Sequence, residues 1–471
     1  MNYESGLIGN HKRRTKIIAT LGPATDDPAV LEQVILAGAS VFRLNMSHGD
    51  SEQQLNRARL VRQVSNELDR EVALLADLQG PKIRVERFAS GKVELAAGDA
   101  FTLDAEDAAT PGTKERVGVS YPGLPNDVTQ GSVLLLDDGL ISLVVERVDG
   151  GKVHCKVEHG GTLRDRKGLN LKGGGLSITG LADHDIPHIE LAARMGVDYL
   201  AISFVSDGSD LERARDLLSQ AGSDAALVAK IERTEAIDNL EEICDAADVI
   251  MVARGDLGVE IGDAELPAVQ KHIIKLARTM NRVVITATQM MESMITSLVP
   301  TRAEVNDVAN SVMDGADAVM LSGETSVGNY TVQVIEKMTS ILKSVEGSQL
   351  IKVPQEPPHV RTKRYITKAV CYHAALMANE IKAKAISTLT NSWYTAFQIS
   401  AWRRSAHILV FTSNKKILSQ LNLLWGVKAF YYDRFVSTDE TIEDVNRIAC
   451  QKGFLDVGDM LISLAAMPIK D

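Results

Sequence analysis

A lysine and a glutamate two residues apart end one apolar run of this chain. The run covers residues 225–232 and ends in Lys230 and Glu232. Such a run predicts a buried parallel strand, and alternation along a strand points both side chains to the same side. A carboxylate can bind a hard divalent ion, and an ammonium can meet the charge of a transferring group. The pair therefore indicates metal-assisted phosphoryl chemistry, with a surface ion pair as the ordinary alternative.

Eight segments share this pattern of an apolar, β-branched run that ends in glycine or polar residues. They cover residues 15–21, 40–45, 72–77, 197–204, 225–232, 249–254, 282–288 and 316–322. Stretches with helical periodicity separate most of them, which predicts an α/β fold, either a closed (β/α)8 TIM barrel or a large open sheet. Polar residues follow nearly every strand. A barrel collects one site from many strand ends, whereas an open sheet has its site at one switch point, so we expect a barrel.

The alternation of strands and helices is interrupted twice. Residues 85–176 contain short strands, glycines and no helical period, which predicts a β-rich lid inserted in a βα loop. Lys172 and the three glycines after it predict a hinge, with a flexible loop as the alternative. After a proline-rich linker at 353–358, a new α/β pattern predicts a smaller C-terminal domain. The predicted domains are a catalytic barrel (1–84 and 177–348), a lid (85–176) and a regulatory or assembly domain (349–471).

Composition narrows the class of protein. The chain has 471 residues, 45% of them hydrophobic, and a formal net charge of −11, which argues against nucleic-acid and anionic-membrane partners. The 4 cysteines are far apart and lack metal-ligand spacing. Neither a membrane-spanning run nor a signal-peptide pattern is present in the sequence. We therefore expect a cytoplasmic protein.

Further candidate site residues follow other strands. Arg43, Asn45 and Ser47 alternate onto one face and can hold a phosphate. Asp256 offers a second metal ligand, and the amides of Gly255 and Asp256 can bind a carboxylate.

Each residue alone has an ordinary structural explanation. These are a surface pair for Arg43, a turn or cap for Asp256 and a core hydrogen bond for Thr288. An active site is favoured when these groups lie together at one end of a barrel. The groups are two carboxylates (Glu232 and Asp256), Lys230, two arginines (Arg43 and Arg84) and the Thr288 hydroxyl.

These motifs, in this order, resemble the pyruvate kinase family. They are RLNMSHG (43–49), GPKIR (80–84), VAKIE (228–232), MVARGDLGVE (251–260), ITATQM (285–290), PTRAE (300–304) and MLSGET (320–325). The resemblance is greatest to the bacterial type with GPKIR. It implies a (β/α)8 barrel with a β-rich lid and an α/β C-terminal domain, assembled as a homotetramer. It also implies phosphoryl transfer from phosphoenolpyruvate to ADP, giving pyruvate and ATP in the last step of glycolysis.

The resemblance also implies residue roles. Glu232 and Asp256 match the ligands of Mg²⁺ or Mn²⁺, Lys230 matches the lysine that stabilises the transferring group, and Thr288 matches the threonine near the enolate carbon. The residues that match substrate contacts are Arg43, Asn45, Ser47, Asp77, Lys230, Gly255, Asp256 and Thr288. The residues that match nucleotide contacts are His48, Arg84 and Lys167.

The sequence departs from the family pattern at Lys82, where many members carry glutamate and need potassium. An ammonium held near the substrate can replace a monovalent cation, so we expect activity without potassium. The alternative is that Lys82 merely faces solvent.

Two more departures concern the C-terminal domain. The candidate effector loop carries Thr388, Thr390, Asn391 and Ser392 and continues into two aromatic residues, where the family usually has a Ser-Gly-Arg-like loop. We expect weak or altered activation by a sugar phosphate. A nucleotide is the alternative effector. The chain ends at Asp471, where relatives usually continue into one more strand, so either the chain is truncated or its sheet lacks that strand.

Two rival functions remain at this point. A metal-dependent aldolase or lyase barrel would share the carboxylates, the metal and a pyruvate enolate, but would not need the lid or Lys167. A catalytically silent regulatory paralogue would be expected to have lost Lys230, Glu232, Asp256 or Thr288, all of which are present.

Overall fold

The computed structural model describes residues 13–348, 364–403, 405–434 and 436–465. The predicted linker at 353–358, the N-terminal residues considered for a signal peptide and the chain end at Asp471 lie outside these ranges.

Strands and helices alternate along the chain, with one β-rich interruption. The first part contains β1 (Lys16–Thr20), β2 (Val41–Asn45) and β3 (Ala73–Asp77), with helices at Pro28–Ala37 and Ser51–Glu67. The insertion contains β4 (Lys92–Leu95), β5 (Ala100–Asp104), β6 (Arg116–Gly118), β7 (Val133–Leu136), β8 (Ile141–Asp149), β9 (Lys152–His159), β10 (Gly161–Arg164) and β11 (Leu169–Leu171), with a short helix at Leu124–Asp127.

The alternation then resumes. Five strands follow, namely β12 (Tyr199–Ile202), β13 (Ala226–Ile231), β14 (Val249–Ala253), β15 (Val283–Ala287) and β16 (Ala318–Leu321). Their helices lie at Ile186–Met195, Gly208–Gln220, Thr234–Asp238, Leu240–Ala246, Arg254–Ile261, Leu266–Thr279, Arg302–Asp314, Gly323–Ser326 and Thr331–Gly347. The C-terminal part contains β17 (Ala385–Leu389), β18 (His407–Thr412), β19 (Val427–Tyr431) and β20 (Leu461–Leu464), with helices at Tyr365–Glu380, Trp393–Ala401, Lys415–Gln420 and Thr438–Gln451.

Eight parallel strands close into a barrel in the order β1-β16-β15-β14-β13-β12-β3-β2. These are the eight runs identified in the sequence, so the prediction of a barrel rather than an open sheet is confirmed. Strands β1, β3, β14 and β15 are buried along their whole length, as expected for parallel strands covered on both sides. The side chains that follow the strands therefore meet at the carboxyl end of the barrel, which we call the lip.

The insertion and the C-terminal part form their own sheets. The insertion, which we call the lid, folds into a six-stranded sheet and a two-stranded ribbon around a core that includes Phe101 and Leu134. The C-terminal strands form a parallel sheet in the order β19-β18-β17-β20. This part contacts the barrel at the end opposite the lip, where the Tyr199 hydroxyl donates to the Gln420 carbonyl at 2.6 Å and Lys16 Nζ donates to the Val427 carbonyl at 2.7 Å.

Among the described residues, the helices are too short or too polar to cross a membrane.

Candidate active site

A buried aspartate joins two cations at the lip. Asp77, at the end of β3, is 1% exposed. One of its carboxylate oxygens lies 2.6 Å from Arg43 Nε on β2, and the other lies 3.1 Å from Lys230 Nζ on β13. Lys230 also lies 2.9 Å from Glu232 Oε1. Three strand ends thus contribute to one network of buried and partly buried charges.

Burial and neighbouring charges have opposite effects on the pKa values of Lys230 and Asp77. Burial alone would lower the pKa of Lys230, but Asp77 and Glu232 outweigh it and raise that pKa above the ordinary value. Burial would raise the pKa of Asp77, yet Lys230 and Arg43 together lower it. Both groups therefore carry their full charge at neutral pH.

Two strand ends that lack a sequence-predicted site residue supply the supporting contacts. Ser203 follows β12, and its hydroxyl lies 2.7 Å from Lys230 Nζ. The Phe204 amide donates to Glu232 Oε2 at 2.8 Å, and Thr20 on β1 accepts from Arg43 Nη1 at 3.1 Å. Ser203 and Thr20 could have been identified from the sequence, because each is a polar residue at the end of a barrel strand. The contact of Phe204 uses its backbone, so its residue type gave no signal.

Thr288, just after β15, has a strained backbone that its contacts hold in place. Its φ is 66°, which is rare for a β-branched residue. The hydroxyl accepts from the Gly255 amide at 2.8 Å and donates to the Ala287 carbonyl at 2.6 Å, while Arg254 Nη2 donates to the Thr288 carbonyl at 2.5 Å. The Gly255 amide predicted to bind a carboxylate is thus bonded to Thr288. Such strain persists only where its surroundings hold it, as these contacts do.

Lys82 joins the lid to the lip. Its Nζ lies 2.7 Å from Asp256 Oδ1 and 3.9 Å from Asp138 Oδ1 in the β7–β8 turn of the lid. Its side chain is 20% exposed. Lys82 therefore does not merely face solvent.

The remaining predicted residues make contacts outside this network of charges. Asn45 accepts from the Ser47 amide at 3.1 Å, and Ser47 and His48 are exposed. Arg84 donates to the Arg166 carbonyl at 2.9 Å, and Lys167 lies 2.7 Å from Asp137 within the lid.

The candidate effector loop belongs to the C-terminal sheet and is not part of the lip. Thr388 is buried, the Thr390 hydroxyl donates to the Ser392 carbonyl at 2.7 Å, and Asn391 and Ser392 are exposed.

Comparisons with known proteins identify the family. The family profile "Pyruvate kinase, barrel domain" matches residues 12–335, and "Pyruvate kinase, alpha/beta domain" matches residues 368–471. The chain is 47% identical to pyruvate kinase II of Salmonella typhimurium over 96% of this chain and 94% of that protein. It is 46% identical to pyruvate kinase of Haemophilus influenzae over 96% and 95%. The chain belongs to the pyruvate kinase family.

A solved structure agrees with this assignment. The crystal structure of a pyruvate kinase from Cryptosporidium parvum superimposes with a TM-score of 0.90 and 31% sequence identity, over 98% of this chain and 95% of the other. The resemblance seen in the motifs is confirmed. The enzyme transfers a phosphoryl group from phosphoenolpyruvate to ADP, and none of these similarities supports the aldolase or silent-paralogue alternatives.

The residues at the lip fit the divalent metal that pyruvate kinases use in general. Burial raises the pKa of Glu232, Lys230 opposes the rise, and Asp256 adds to it. A divalent cation bound by both carboxylates would relieve their repulsion. Within the described ranges no three His, Cys, Asp or Glu side chains form a metal cluster. Two carboxylates suffice for Mg²⁺, which takes its other ligands from substrate phosphate and water.

The contact between Ser203 and Lys230 generates a prediction. Replacing Ser203 with alanine removes one of the groups that orient the Lys230 ammonium, so kcat should fall by about tenfold. Steady-state kinetics with phosphoenolpyruvate and ADP would measure this. Ser311→Ala is the matched control, because the Ser311 hydroxyl is equally buried and has no hydrogen-bond partner among the residues that the structure describes. Equal kcat values for Ser203→Ala and the wild type would contradict the prediction.

Proposed function

We propose that Arg43, Lys230, Glu232, Asp256 and Thr288 carry out the phosphoryl transfer at the lip. The supporting observation is the network of buried and partly buried charges from Arg43 through Asp77 to Lys230 and Glu232. Preorganised charge of this kind is the largest contribution in most phosphoryl-transfer enzymes, because the protein contributes positioning and electrostatic stabilisation.

Charge balance supports a metal-dependent reaction. The side chains concerned are three cations and three carboxylates, namely Arg43, Lys82, Lys230, Asp77, Glu232 and Asp256. An anionic substrate adds negative charge to this neutral set. Glu232 and Asp256 would hold Mg²⁺ or Mn²⁺, which supplies the additional positive charge and polarises the phosphoryl oxygens.

The other side chains have separate tasks in this proposal. Lys230, which stays protonated, and Arg43 stabilise the transferring group and the enolate oxygen that it leaves. The Thr288 hydroxyl lies at the lip beside the Gly255 amide and takes part in proton delivery to the enolate carbon, through water.

Substrate contacts are also assigned to Asn45, Ser47, Asp77 and Gly255. Nucleotide contacts are assigned to His48, Arg84 and Lys167, two of which lie at the base of the lid or in it. Lid closure over ADP excludes water that would otherwise accept the phosphoryl group.

The role of Lys230 is tested by Lys230→Met. Loss of the ammonium removes charge stabilisation while the stem of the side chain stays, so pyruvate formation should fall by at least about 100-fold. The measurement is a coupled assay with Mg²⁺, and Lys271→Met, which changes an exposed lysine, is the control. Substantial activity in a folded Lys230→Met enzyme would overturn the assignment.

We further propose that Lys82 replaces a monovalent cation. Its support is the contact of 2.7 Å with Asp256. The wild-type rate should not change when potassium replaces an inert cation at fixed ionic strength, whereas Lys82→Ala should lose activity and regain part of it with potassium. A wild-type rate that rises steeply with potassium would contradict the proposal.

Assembly, compartment and regulation complete the proposal. The enzyme is a cytoplasmic homotetramer whose sugar-phosphate activation is weak or altered. The support for altered activation is that Thr390 and Ser392 bond to each other and that Arg364 lies 4.5 Å over the Tyr394 ring, which follows the candidate effector loop. Assembly and compartment rest on the family resemblance. Fructose 1,6-bisphosphate should therefore barely change the half-saturating phosphoenolpyruvate concentration. A large decrease would refute this expectation.

A further inference from the structure

The chain that returns from the lid to the barrel is bonded to the loop after β13. Arg233 donates to the carbonyls of Leu176 and Ile178 at 2.5 and 2.8 Å. The Gly175 amide donates to Glu235 Oε1 at 2.6 Å. The glycine run predicted to be a hinge is therefore packed against the loop that carries Glu232.

Gly174 shows how close this packing is. Its φ is +79°, and a Cβ built there would lie 2.9 Å from the Thr234 Cβ. A side chain would push the returning chain away from the loop, so glycine is required for contact as well as for backbone freedom.

Glu260 lies at the centre of this junction and is 4% exposed. Its Oε2 accepts from the Thr234 amide at 3.0 Å, and its Oε1 accepts from Asn170 Nδ2 of β11 at 3.5 Å. Its backbone carbonyl accepts from the Gly173 amide at 3.0 Å. Glu260 also belongs to the helix Arg254–Ile261, which carries Asp256 one turn earlier. Glu260 thus links the lid and the segment after Glu232 to the helix that carries Asp256.

We propose that Glu260 is a positioning residue that couples the position of the lid to the geometry of the two carboxylates that hold the metal. It bonds to a lid side chain and to the amide of Thr234, two residues after Glu232, so a shift of the lid strand would be passed to the segment that follows Glu232. This inference rests on the proposed roles of Glu232 and Asp256, but the bonds that it invokes do not depend on those roles.

The surroundings make the strength of this coupling dependent on pH. A cavity of about 20 Å³, enough for one water, adjoins Glu260 and is also lined by Lys82 and Arg233. Burial raises the pKa of Glu260 to about 7 from 4.5, with Glu235 adding to the rise and the Thr234 amide, Arg233 and Asn170 opposing it. The charged groups that act on the carboxyl are therefore Arg233 and Glu235. Lys82 lines the same cavity, and Asp256 lies one turn earlier in the helix of Glu260.

The sign of the effect follows from the raised pKa. Folding favours the protonated carboxyl, so its contribution to stability is fully present below pH 4.5 and is lost as pH rises through about 7. The junction should be firm below pH 7 and looser above it. Glutamine, which is neutral and has the same shape, should behave like the protonated form at every pH.

Limited trypsin digestion tests the junction directly, because Lys172 is exposed beside the glycine run. At pH 6, where the wild-type junction is firm, Glu260→Ala should be cut at Lys172 about tenfold faster than the wild type, since one hydrogen-bonded carboxyl is lost. Glu260→Gln should be cut no faster than the wild type. Glu324→Ala is the control, because Glu324 is as buried as Glu260 but accepts from the Met291 and Ser322 amides in the barrel.

Kinetics test the coupling to the site. Glu260→Ala should raise the KM for ADP by about threefold or more with a smaller change in kcat. The ratio of the wild-type KM for ADP to that of Glu260→Gln should grow from pH 6 to pH 8.5, because only the wild-type side chain ionises in this range. The titration of ADP itself cancels in this ratio.

Three results would overturn the proposal. They are wild-type cleavage of Glu260→Ala, equally fast cleavage of Glu324→Ala, and a KM ratio that does not change with pH. If Glu260→Ala does not fold, Asn170→Ala removes the same bond from the lid side and carries the digestion test. An active Lys230→Met enzyme would contradict the proposed site but would leave the digestion result unaffected.

Discussion

The lip depends on the requirement that Arg43 and Lys230 be neutralised where they are largely removed from solvent, with side chains 11% and 12% exposed. Asp77 bonds to both cations, and its own burial is tolerable only because they hold its pKa down. Removing one partner from a buried ion pair costs about 3–5 kcal/mol. Loss of Asp77 would also remove the carboxylate that lies between the like charges of Arg43 and Lys230. The neutral network allows three strand ends to present charge to a substrate without water around them.

Several residues at the lip also have a strained backbone. Phe204, Thr288 and Gln289 all have positive φ directly after barrel strands. The Phe204 amide bonds to Glu232, and the Thr288 hydroxyl accepts from the Gly255 amide, so two of these three residues are fixed by a contact with a proposed site residue. A closed barrel can hold such conformations because its strands cannot shift independently.

Local pattern was enough to predict the barrel and the Lys230–Glu232 pair, because strand alternation is a property of adjacent residues. It was not enough for Ser203, for the Phe204 amide or for Glu260. Ser203 is recognisable only once β12 lies beside β13, and a backbone donor has no residue type to recognise. Glu260 was visible as the last residue of a family motif, but its contact with Asn170 joins residues ninety positions apart. These contacts arise from tertiary packing, which spacing along the chain does not encode.

Lys82 shows how one residue type can follow from the charge of its neighbour. Asp256 lies 2.7 Å from the Lys82 ammonium, and Asp138 of the lid lies 3.9 Å from it. A glutamate at position 82 would bring a further carboxylate to this group, and the resulting repulsion would require a cation from solvent. Lysine carries that charge on the chain itself, at a point where lid and barrel meet. The neutrality of the lip, the contact with the lid and the expected independence from potassium are therefore consequences of one ammonium group.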